Sequence, residues 1–267
     1  MDGLRDKVVL ISGTAGGQGR AAALAFAREG AKVFGCDIKA EEAEETVRLV
    51  TRAGGAMRSM HPLDLSEFEN AKAWAKAASD IFGGIDVLYN NAGALRALGP
   101  FGSSTVEAWD LTVRYELTMP FVTTLAVWPY LVARGSGLVL NTASISGHLE
   151  FLPLRTAAHG ATKAGVMGLT RMLAAEGAPY KIRAVSISPG IIKSPATRRF
   201  WTGEDERQTE IGEGLVANVP MGRAGECEEI ANVAVFLASS GASYINGADI
   251  LVDGGVRSCT YTPIGGN

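Results

Sequence analysis

The sequence has few cysteines, no long apolar run and no excess of positive charge. Its three cysteines, Cys36, Cys227 and Cys259, are widely spaced and odd in number, which indicates reduced thiols with neither a disulfide framework nor a metal site. No apolar run reaches the ~18 residues that a membrane-spanning helix needs. The net charge of −3 gives no reason to expect nucleic acid or an anionic membrane as a partner. Because the first residues lead directly into an apolar strand pattern, we expect no signal peptide. These absences predict a cytoplasmic protein that acts on a small-molecule substrate.

Strand and helix patterns alternate along the whole chain, without a linker or a repeat. Strand patterns lie near residues 7–12, 32–36, 57–61, 85–90, 137–143, 182–188 and 249–252, and helical patterns near 17–28, 41–52, 66–82, 105–133, 157–175 and 226–238. This alternation predicts an α/β fold: a single doubly wound (Rossmann-type) parallel sheet with helices on both faces, in one domain over residues 1–267. One polar stretch, 195–220, interrupts the alternation and is too long for an ordinary connection. It is predicted to be a lid.

A glycine-rich turn between the first strand and an alanine-rich helix indicates a dinucleotide site. Gly13, Gly17 and Gly19 form this turn, and the second strand ends at Asp37, twenty residues after Gly17. Glycine lets backbone N–H groups approach a pyrophosphate at the positive end of the helix, and an acidic residue at this distance binds ribose hydroxyls. The carboxylate would repel the 2′-phosphate of NADP, and residues 14–16 offer no cation. Lys39, two residues after Asp37, is interpreted as a solvated surface residue and not as a ligand of the 2′-phosphate. The sequence therefore favours NAD over NADP.

Six motifs in the expected order carry a family resemblance. They are Gly13-x-x-x-Gly17-x-Gly19, Asp64-Leu65, Asn90-Asn91-Ala92-Gly93, Ser144 with Gly147, Ser188-Pro-Gly190 and Val252-Asp-Gly-Gly255. On these residues the chain resembles the short-chain dehydrogenase/reductase family over nearly its whole length. The resemblance implies that NAD lies across the carboxyl ends of the strands.

The resemblance also implies which residues bind the cofactor. Asp64 and Leu65 are expected to flank the adenine, and the nicotinamide amide is expected to contact the backbone near Ile192 together with Ser194, where family members usually carry threonine. The full expected set is Gly13, Gly17, Gln18, Gly19, Asp37, Ile38, Asp64, Leu65, Asn91, Ala92, Gly93, Lys163, Ile192 and Ser194.

The expected catalytic residues depart from the family pattern at two positions. Family enzymes carry Tyr-x-x-x-Lys on the helix after the fifth strand, a serine upstream and often an asparagine on the preceding helix. Lys163 is present, and Ser144 matches the serine when counted from Gly147. His159 stands where tyrosine is expected, and Glu116 stands where the asparagine would fall. Both replacements are ionisable.

His159 could still serve as a base. The i, i+4 spacing places it on the same helix face as Lys163, and a histidine ordinarily titrates near pH ~6.5. The Lys163 ammonium and the nicotinamide cation should both disfavour imidazolium, so neutral imidazole would accept the proton of an alcohol. Imidazole ends ~2 Å short of a tyrosine hydroxyl, and a misplacement of ~1 Å can cost ~100-fold in rate. Therefore the substrate sits closer, a water bridges the gap, or the chemistry differs.

Each catalytic candidate also has a structural interpretation. His159 could be a polar residue near a helix start. Glu116 could keep Lys163 charged and pass protons to solvent, or form a structural ion pair with Lys163 or Arg114. Ser144 could bind the substrate oxygen or cap the end of a strand.

Three functions remain open on the sequence alone. The first is an NAD-dependent oxidoreductase that interconverts a small or mid-sized alcohol and its carbonyl compound. The second is a non-redox lyase, hydrolase or dehalogenase that uses Ser144, His159 and Glu116, and the third is a catalytically silent NAD-binding protein.

The pocket and the assembly are less defined by the sequence. The pocket is expected to be bordered by residues after Ser144 and after the fourth strand and to be covered by the lid: His148, Glu150, Phe151, Leu152, Leu95, Arg96, Arg198, Arg199, Phe200 and Trp201. The helical pattern at 105–133 is apolar on more than one face, and family members pair this helix and the Lys163 helix across a two-fold axis. We therefore expect a homodimer or homotetramer.

Overall fold

A seven-stranded parallel sheet organises the computed structural model, which describes residues 3–96, 99–150 and 155–259. The strands are β1 Val8–Ser12, β2 Lys32–Cys36, β3 Ala56–Met60, β4 Val87–Asn90, β5 Gly137–Thr142, β6 Ile182–Pro189, β7 Ile192–Lys193, β8 Gly225–Glu226 and β9 Asp249–Val252. The sheet order is β3-β2-β1-β4-β5-β6-β9, and β7 pairs with β8 separately. All strand pairs are parallel. The predicted fold class is confirmed.

Eight α-helices are described, on both faces of the sheet. They are α1 Gly17–Arg28, α2 Ala40–Arg52, α3 Phe68–Phe82, α4 Val106–Val113, α5 Met119–Arg134, α6 Ala157–Gly177, α7 Glu206–Val216 and α8 Cys227–Ala238. In the described part of the chain, none of the helices is long and apolar enough to cross a membrane.

The core consists of two buried layers, one on each side of the sheet. On one side α1 packs against α8, with Phe26 and Ile230 fully buried. On the other side α3 packs against α5, with Trp74 and Leu131 fully buried. Apolar side chains therefore cover both faces of the parallel strands. The arrangement leaves the carboxyl ends of the strands free for a site.

The crevice in this sheet lies between β1 and β4, where the strand order reverses. From β1 the chain continues through β2 and β3 to one edge, and from β4 through β5 and β6 towards the other. Ligands of open α/β sheets bind outside the carboxyl ends at such a reversal. The segments after Ser12 and Asn90 end at this crevice, and they carry the glycine turn and the Asn91–Gly93 motif.

The helical stretch predicted at 105–133 is found as α4 and α5, but it contains a π-helical turn that was not predicted. A π-helical segment, Arg114–Thr118, separates α4 from α5. Pro120 lies in the first turn of α5, and because proline has no backbone N–H it cannot donate to the carbonyl of residue 116. A π-helical turn is a local adjustment that often accompanies functional sites. Here it contains Glu116.

The predicted lid segment, 195–220, contains regular structure. A 3₁₀ turn, Arg198–Phe200, is followed by α7. Phe200 is buried and packs against α7, where a Cβ at Gly212 would lie 2.5 Å from the Phe200 carbonyl oxygen. Phe200 therefore belongs to the interior of this segment. Trp201 is half-buried and donates its Nε1–H to Thr197 Oγ1 at 3.1 Å.

Candidate active site

The glycine turn is packed so closely that it excludes side chains. Gly13 and Gly17 have φ of +79° and +53°, which favours glycine. A Cβ at Gly19 would lie 2.0 Å from the Gly13 carbonyl oxygen and 2.8 Å from Asn91 Nδ2. The turn therefore offers backbone N–H groups at the start of α1, as a pyrophosphate requires.

Hydrogen bonds fix the loop after β4 against this turn. Ser12 Oγ accepts bonds from the N–H groups of Asn91 and Ala92, both at 3.0 Å, and Asn91 Nδ2 donates to the Ser12 carbonyl oxygen at 3.0 Å. The predicted cofactor residues after β1 and β4 thus form one rigid edge of the crevice. Gln18 lies at the start of α1 in the same edge.

The Asp37 carboxylate is held by backbone donors at the end of β2. Its Oδ2 accepts from the Ala15 N–H at 2.8 Å and its Oδ1 from the Lys39 N–H at 3.0 Å. Each carboxylate oxygen keeps a further lone pair for a ribose hydroxyl. Ile38, the next residue, is 60% exposed. The carboxylate is therefore rigidly placed beside the glycine turn.

The residues expected near the adenine follow β3. Asp64 accepts a hydrogen bond from the Ser66 N–H at 2.8 Å, while its carbonyl oxygen accepts from Asn70 Nδ2 at 2.9 Å. Leu65 is 3% exposed and belongs to the core layer that contains Trp74. The Leu65 side chain therefore packs in the core, and only its backbone can contact a ligand.

The segment after β6 lies close to the glycine turn. Ideal Cβ positions at Gly16 and Gly17 would fall 3.5 Å and 3.2 Å from the ring of Pro195. Thr197 fixes this segment, because its Oγ1 donates to the Ile192 carbonyl oxygen at 2.7 Å and accepts from the Ser194 N–H at 2.9 Å. Thr197 was not anticipated from the sequence, where no local pattern marks it.

A buried polar network fixes the helices beside the site. Asn90 Nδ2 donates to Asn141 Oδ1 at 2.8 Å, and Thr123 donates to Asn90 Oδ1 at 2.6 Å. Asn141 Nδ2 in turn donates to Thr170 Oγ1 at 2.9 Å. The network joins β4 and β5 to α5 and α6, so Asn90 acts as a structural residue.

Lys163 lies at the centre of the candidate catalytic cluster. It is 6% exposed, and its Nζ donates to the Thr142 carbonyl oxygen at 2.8 Å. A Cβ at Gly93 would lie 3.8 Å from this Nζ and 3.7 Å from Glu116 Cγ. The lysine, the glutamate and the cofactor loop after β4 therefore meet at one point.

Glu116 contacts His159 directly. Glu116 Oε2 lies 2.8 Å from His159 Nδ1 and accepts a hydrogen bond from Thr162 Oγ1, also at 2.8 Å. Arg114 contacts Ser66 and Glu67, so the alternative in which Glu116 pairs with Arg114 is wrong. The expectation for His159 considered only positive neighbours, whereas the structure places a carboxylate in contact with its ring. Thr162 was not anticipated either.

The charges in this cluster depend on one another. Burial alone would raise the pKa of Glu116, but the Lys163 ammonium and the His159 and Thr162 contacts hold it below its ordinary value. Burial lowers the pKa of Lys163, and the Glu116 carboxylate partly opposes this shift. Glu116 is therefore ionised at neutral pH.

Ser144 lies at the carboxyl end of β5, in a loop that packs on α6. Its Oγ accepts a hydrogen bond from the Ser146 N–H at 3.1 Å, which is the strand-end capping expected as an alternative. A Cβ at Gly147 would lie 2.5 Å from Met167 Cε and 2.8 Å from the Ala164 N atom. The close packing at Gly147 holds the Ser144 loop beside the helix that carries Lys163. Within the described residues the Ser144 hydroxyl donates no hydrogen bond, so its proton can be donated to a substrate oxygen.

The expected pocket border is only partly described. His148 Nε2 lies 2.7 Å from Asp249 Oδ2, and Glu150 accepts bonds from the N–H and hydroxyl of Thr156. Both side chains are thus engaged within the protein. Phe151 and Leu152 lie outside the described residues.

Comparisons with known proteins find relatives over nearly the whole chain. A family model described as enoyl-(acyl carrier protein) reductase matches residues 13–257. The chain is 37% identical to the uncharacterized oxidoreductase YxbG of Bacillus subtilis (strain 168), over 98% of this chain and 94% of that protein. It is 35% identical to D-threitol dehydrogenase of Mycolicibacterium smegmatis (strain ATCC 700084 / mc(2)155), over 94% and 93%. A crystal structure of levodione reductase superposes with a TM-score of 0.90 at 34% identity, over 96% of this chain and 99% of that chain.

Proposed function

The chain belongs to the short-chain dehydrogenase/reductase family, and from this membership we propose an NAD-dependent enzyme that interconverts a small or mid-sized alcohol and its carbonyl compound. Relatives named as a dehydrogenase and a reductase support an oxidoreductase of alcohols and carbonyl compounds. The geometry of individual residues supports the choice of NAD and the assignment of the base.

The preference for NAD rests on Asp37. Its carboxylate is fixed by Ala15 and Lys39 N–H groups beside the turn, so a 2′-phosphate there would meet an immobile negative charge. The nearby Arg20 guanidinium donates to the carbonyl oxygens of Ala15 and Glu42 and to Thr46 Oγ1. These bonds hold it against the protein backbone and α2.

The described residues fit such a cofactor, because side chains at Gly13 and Gly19 would fill the cradle. The glycine turn would hold the pyrophosphate, Asp37 the adenosine ribose, and Ser194 with the Ile192 backbone the nicotinamide amide. Lys163 would bind and orient the second ribose. Bound NAD supplies the hydride acceptor for oxidation and, when reduced, the hydride donor for reduction.

His159 is the proposed proton acceptor during alcohol oxidation. This assignment rests on the contact between His159 Nδ1 and Glu116. The contact engages Nδ1 and leaves Nε2, the second ring nitrogen, to accept a proton. Ser144 would donate its hydroxyl proton to the substrate oxygen. Because imidazole is shorter than a phenol, the substrate must approach more closely than in a tyrosine enzyme, or one water must bridge.

A non-redox reaction is the second candidate, because His159 and Glu116 also resemble the base and the orienting carboxylate of a hydrolytic triad. Against it, no hydrogen bond links Ser144 to His159 within the described ranges. The relatives' names also favour oxidoreduction.

Three further features of the enzyme are part of the proposal. Residues 195–220 act as a lid, supported by the closeness of Pro195 to the glycine turn. The protein functions in the cytoplasm, in keeping with free thiols at Cys36, Cys227 and Cys259. It assembles as a homodimer or homotetramer.

Turnover of the cofactor tests the proposal. Purified protein with NAD and a panel of secondary alcohols, including D-threitol, should form NADH, and ketones such as levodione should consume it. For oxidation, kcat should rise with pH as one group loses its proton and then level off. His159→Ala should lower kcat by ~100-fold or more without changing NAD affinity in calorimetry.

Other outcomes separate the alternatives. Full activity in His159→Ala would exclude His159 as the base. Substrate loss without a change in NADH would favour the non-redox reaction. His159→Tyr tests the distance between the base and the substrate. Retained or higher activity would indicate the pocket geometry of tyrosine enzymes, whereas loss of activity would indicate a substrate placed for imidazole.

A further inference from the structure

The two departures from the family pattern are in contact with each other. His159 and Glu116 are 43 residues apart in sequence, and they meet at 2.8 Å between Nδ1 and Oε2. Glu116 is 3% exposed and His159 is 19% exposed. The π-helical segment that contains Glu116 packs against α6, where His159 lies.

The contact determines which ring nitrogen carries the proton. Glu116 is ionised, so its oxygens only accept hydrogen bonds, and His159 Nδ1 must be the donor. In a neutral imidazole the other nitrogen, Nε2, then carries the lone pair. Within residues 3–96, 99–150 and 155–259, Nε2 has no hydrogen-bond partner. It is therefore available to a substrate hydroxyl.

The charge that a base carries during the reaction explains why positions 116 and 159 both depart from the family pattern. A tyrosine base alternates between a phenolate anion and a neutral phenol, and a neighbouring ammonium stabilises the anion. A histidine base alternates between a neutral ring and a cation. Stabilising that cation requires a negative partner, because Lys163 on the same helix opposes it. Glu116 supplies this negative charge where the family often has a neutral asparagine.

We propose that Glu116 is a positioning residue that holds His159 in the Nδ1–H tautomer and stabilises the imidazolium formed when Nε2 takes the alcohol proton. This inference rests on the proposed function. The proton moves from the substrate O–H to Nε2, so an N–H bond forms as the O–H bond breaks. Glu116 remains ionised throughout, as the orienting carboxylate of a catalytic triad does.

Two further groups complete the electrostatic surroundings of His159. Thr162 donates its hydroxyl to Glu116 Oε2 and so restrains the carboxylate. Glu150 accepts a hydrogen bond from Thr156, and its Oε2 would lie 3.9 Å from a Cβ at Gly160, the residue after His159. The charged groups near this part of α6 are therefore Glu116, which contacts the imidazole, together with Lys163 and Glu150.

The unaltered protein gives the first test, by ¹⁵N NMR of its three histidines. The resonance absent from His159→Gln identifies His159, which should be protonated at Nδ1 when neutral. His148 is an internal control with the opposite contact, because it meets Asp249 through Nε2. A neutral His159 protonated at Nε2 would overturn the inference without any effect on the proposed function.

Glu116→Gln gives the second test. The carboxamide can donate or accept, so the tautomer preference should be lost and kcat for oxidation should fall by ~100-fold or more. The acidic limb of the pH profile should move to lower pH, since the imidazolium loses its negative partner. NAD affinity should be unchanged. Glu116→Asp, which keeps the charge, should restore the acidic limb towards its original position.

Matched variants separate positioning from folding and from the proposed function. Asp249→Asn breaks the histidine–carboxylate pair at His148 and should leave the His159 tautomer unchanged. If His159→Ala is inactive but Glu116→Gln changes neither tautomer nor acidic limb, this inference fails alone. If His159→Ala is fully active, the proposed base assignment fails, whatever the tautomer.

Discussion

At the scale of single residues, Asp37 sets the electrostatic preference of the cofactor site. Its carboxylate is fixed by two backbone N–H groups. We expect NAD(H) to bind at least ten times more tightly than NADP(H), a difference of ~1.4 kcal/mol. Asp37→Ala should narrow that difference, because the fixed negative charge is lost. Calorimetric titration of each protein with both cofactors measures it.

Asp37→Asn is the matched variant for this prediction. The asparagine side chain can still accept a hydrogen bond from a backbone N–H group of the turn, but it carries no charge. If charge is the cause, Asp37→Asn and Asp37→Ala should discriminate equally poorly against NADP(H). If only Asp37→Ala loses discrimination, the carboxylate acts by shaping the loop. Equal affinities in the unaltered protein would contradict the assignment of NAD.

At the scale of elements, Asp86 joins the start of β4 to β1 and to the end of α5. It is 4% exposed and accepts from the Val8 N–H at 2.9 Å, from Lys7 Nζ at 3.0 Å and from both Nε and Nη2 of Arg134 at 3.0 Å. Burial alone would raise the pKa of Asp86, but these donors hold it below its ordinary value of 3.8. The stabilisation is therefore present above pH ~3.8 and is lost as pH falls through the lower folded-state pKa.

Asp86→Asn should lower the free energy of unfolding at pH 7 by roughly 2 kcal/mol, since it leaves charged donors facing a neutral amide. Urea unfolding measures this, and the deficit should shrink below pH ~4 as the unaltered protein loses the same contribution. Asp80→Asn removes an exposed partner of Lys76 and should leave the unfolding midpoint unchanged. An equal deficit at neutral and at acidic pH would show that the Asp86 charge is not the cause.

The bounds of strands and helices are the part of the structure that was predicted most accurately from the sequence. Strands β1 to β6 and β9 and helices α1 to α3, α6 and α8 lie within about two residues of their predicted bounds, because apolar periodicity and glycine turns report local conformation. The π-helical segment at Arg114–Thr118 was missed, since it depends on how Pro120 and the packing on α6 alter one turn. The contact of Glu116 with His159 was missed for a related reason: each residue was weighed against Lys163, and Glu116 also against Arg114, but not against the other.

At the scale of the whole molecule, the neighbouring helices α4, α5 and α6 present apolar side chains to solvent. Val106, on α4, is 71% exposed, Phe121 and Leu125, on α5, are 51% and 49% exposed, and Met172, on α6, is 59% exposed. Phe121 and Leu125 are four residues apart, so they share one side of α5. Apolar surface in this concentration marks an interaction site more often than a free surface. We propose that a second copy of the chain covers it.

Light scattering at micromolar concentration should therefore give the mass of a dimer or tetramer. Phe121→Glu combined with Leu125→Glu should reduce the assembly to a smaller species, because four charged side chains would meet across a two-fold interface. Ile81→Glu is the matched control, since Ile81 is similarly exposed at 53% but lies on α3; it should leave the mass unchanged. A monomer in the unaltered protein would contradict the proposal, and the apolar face of α4, α5 and α6 would then need another explanation.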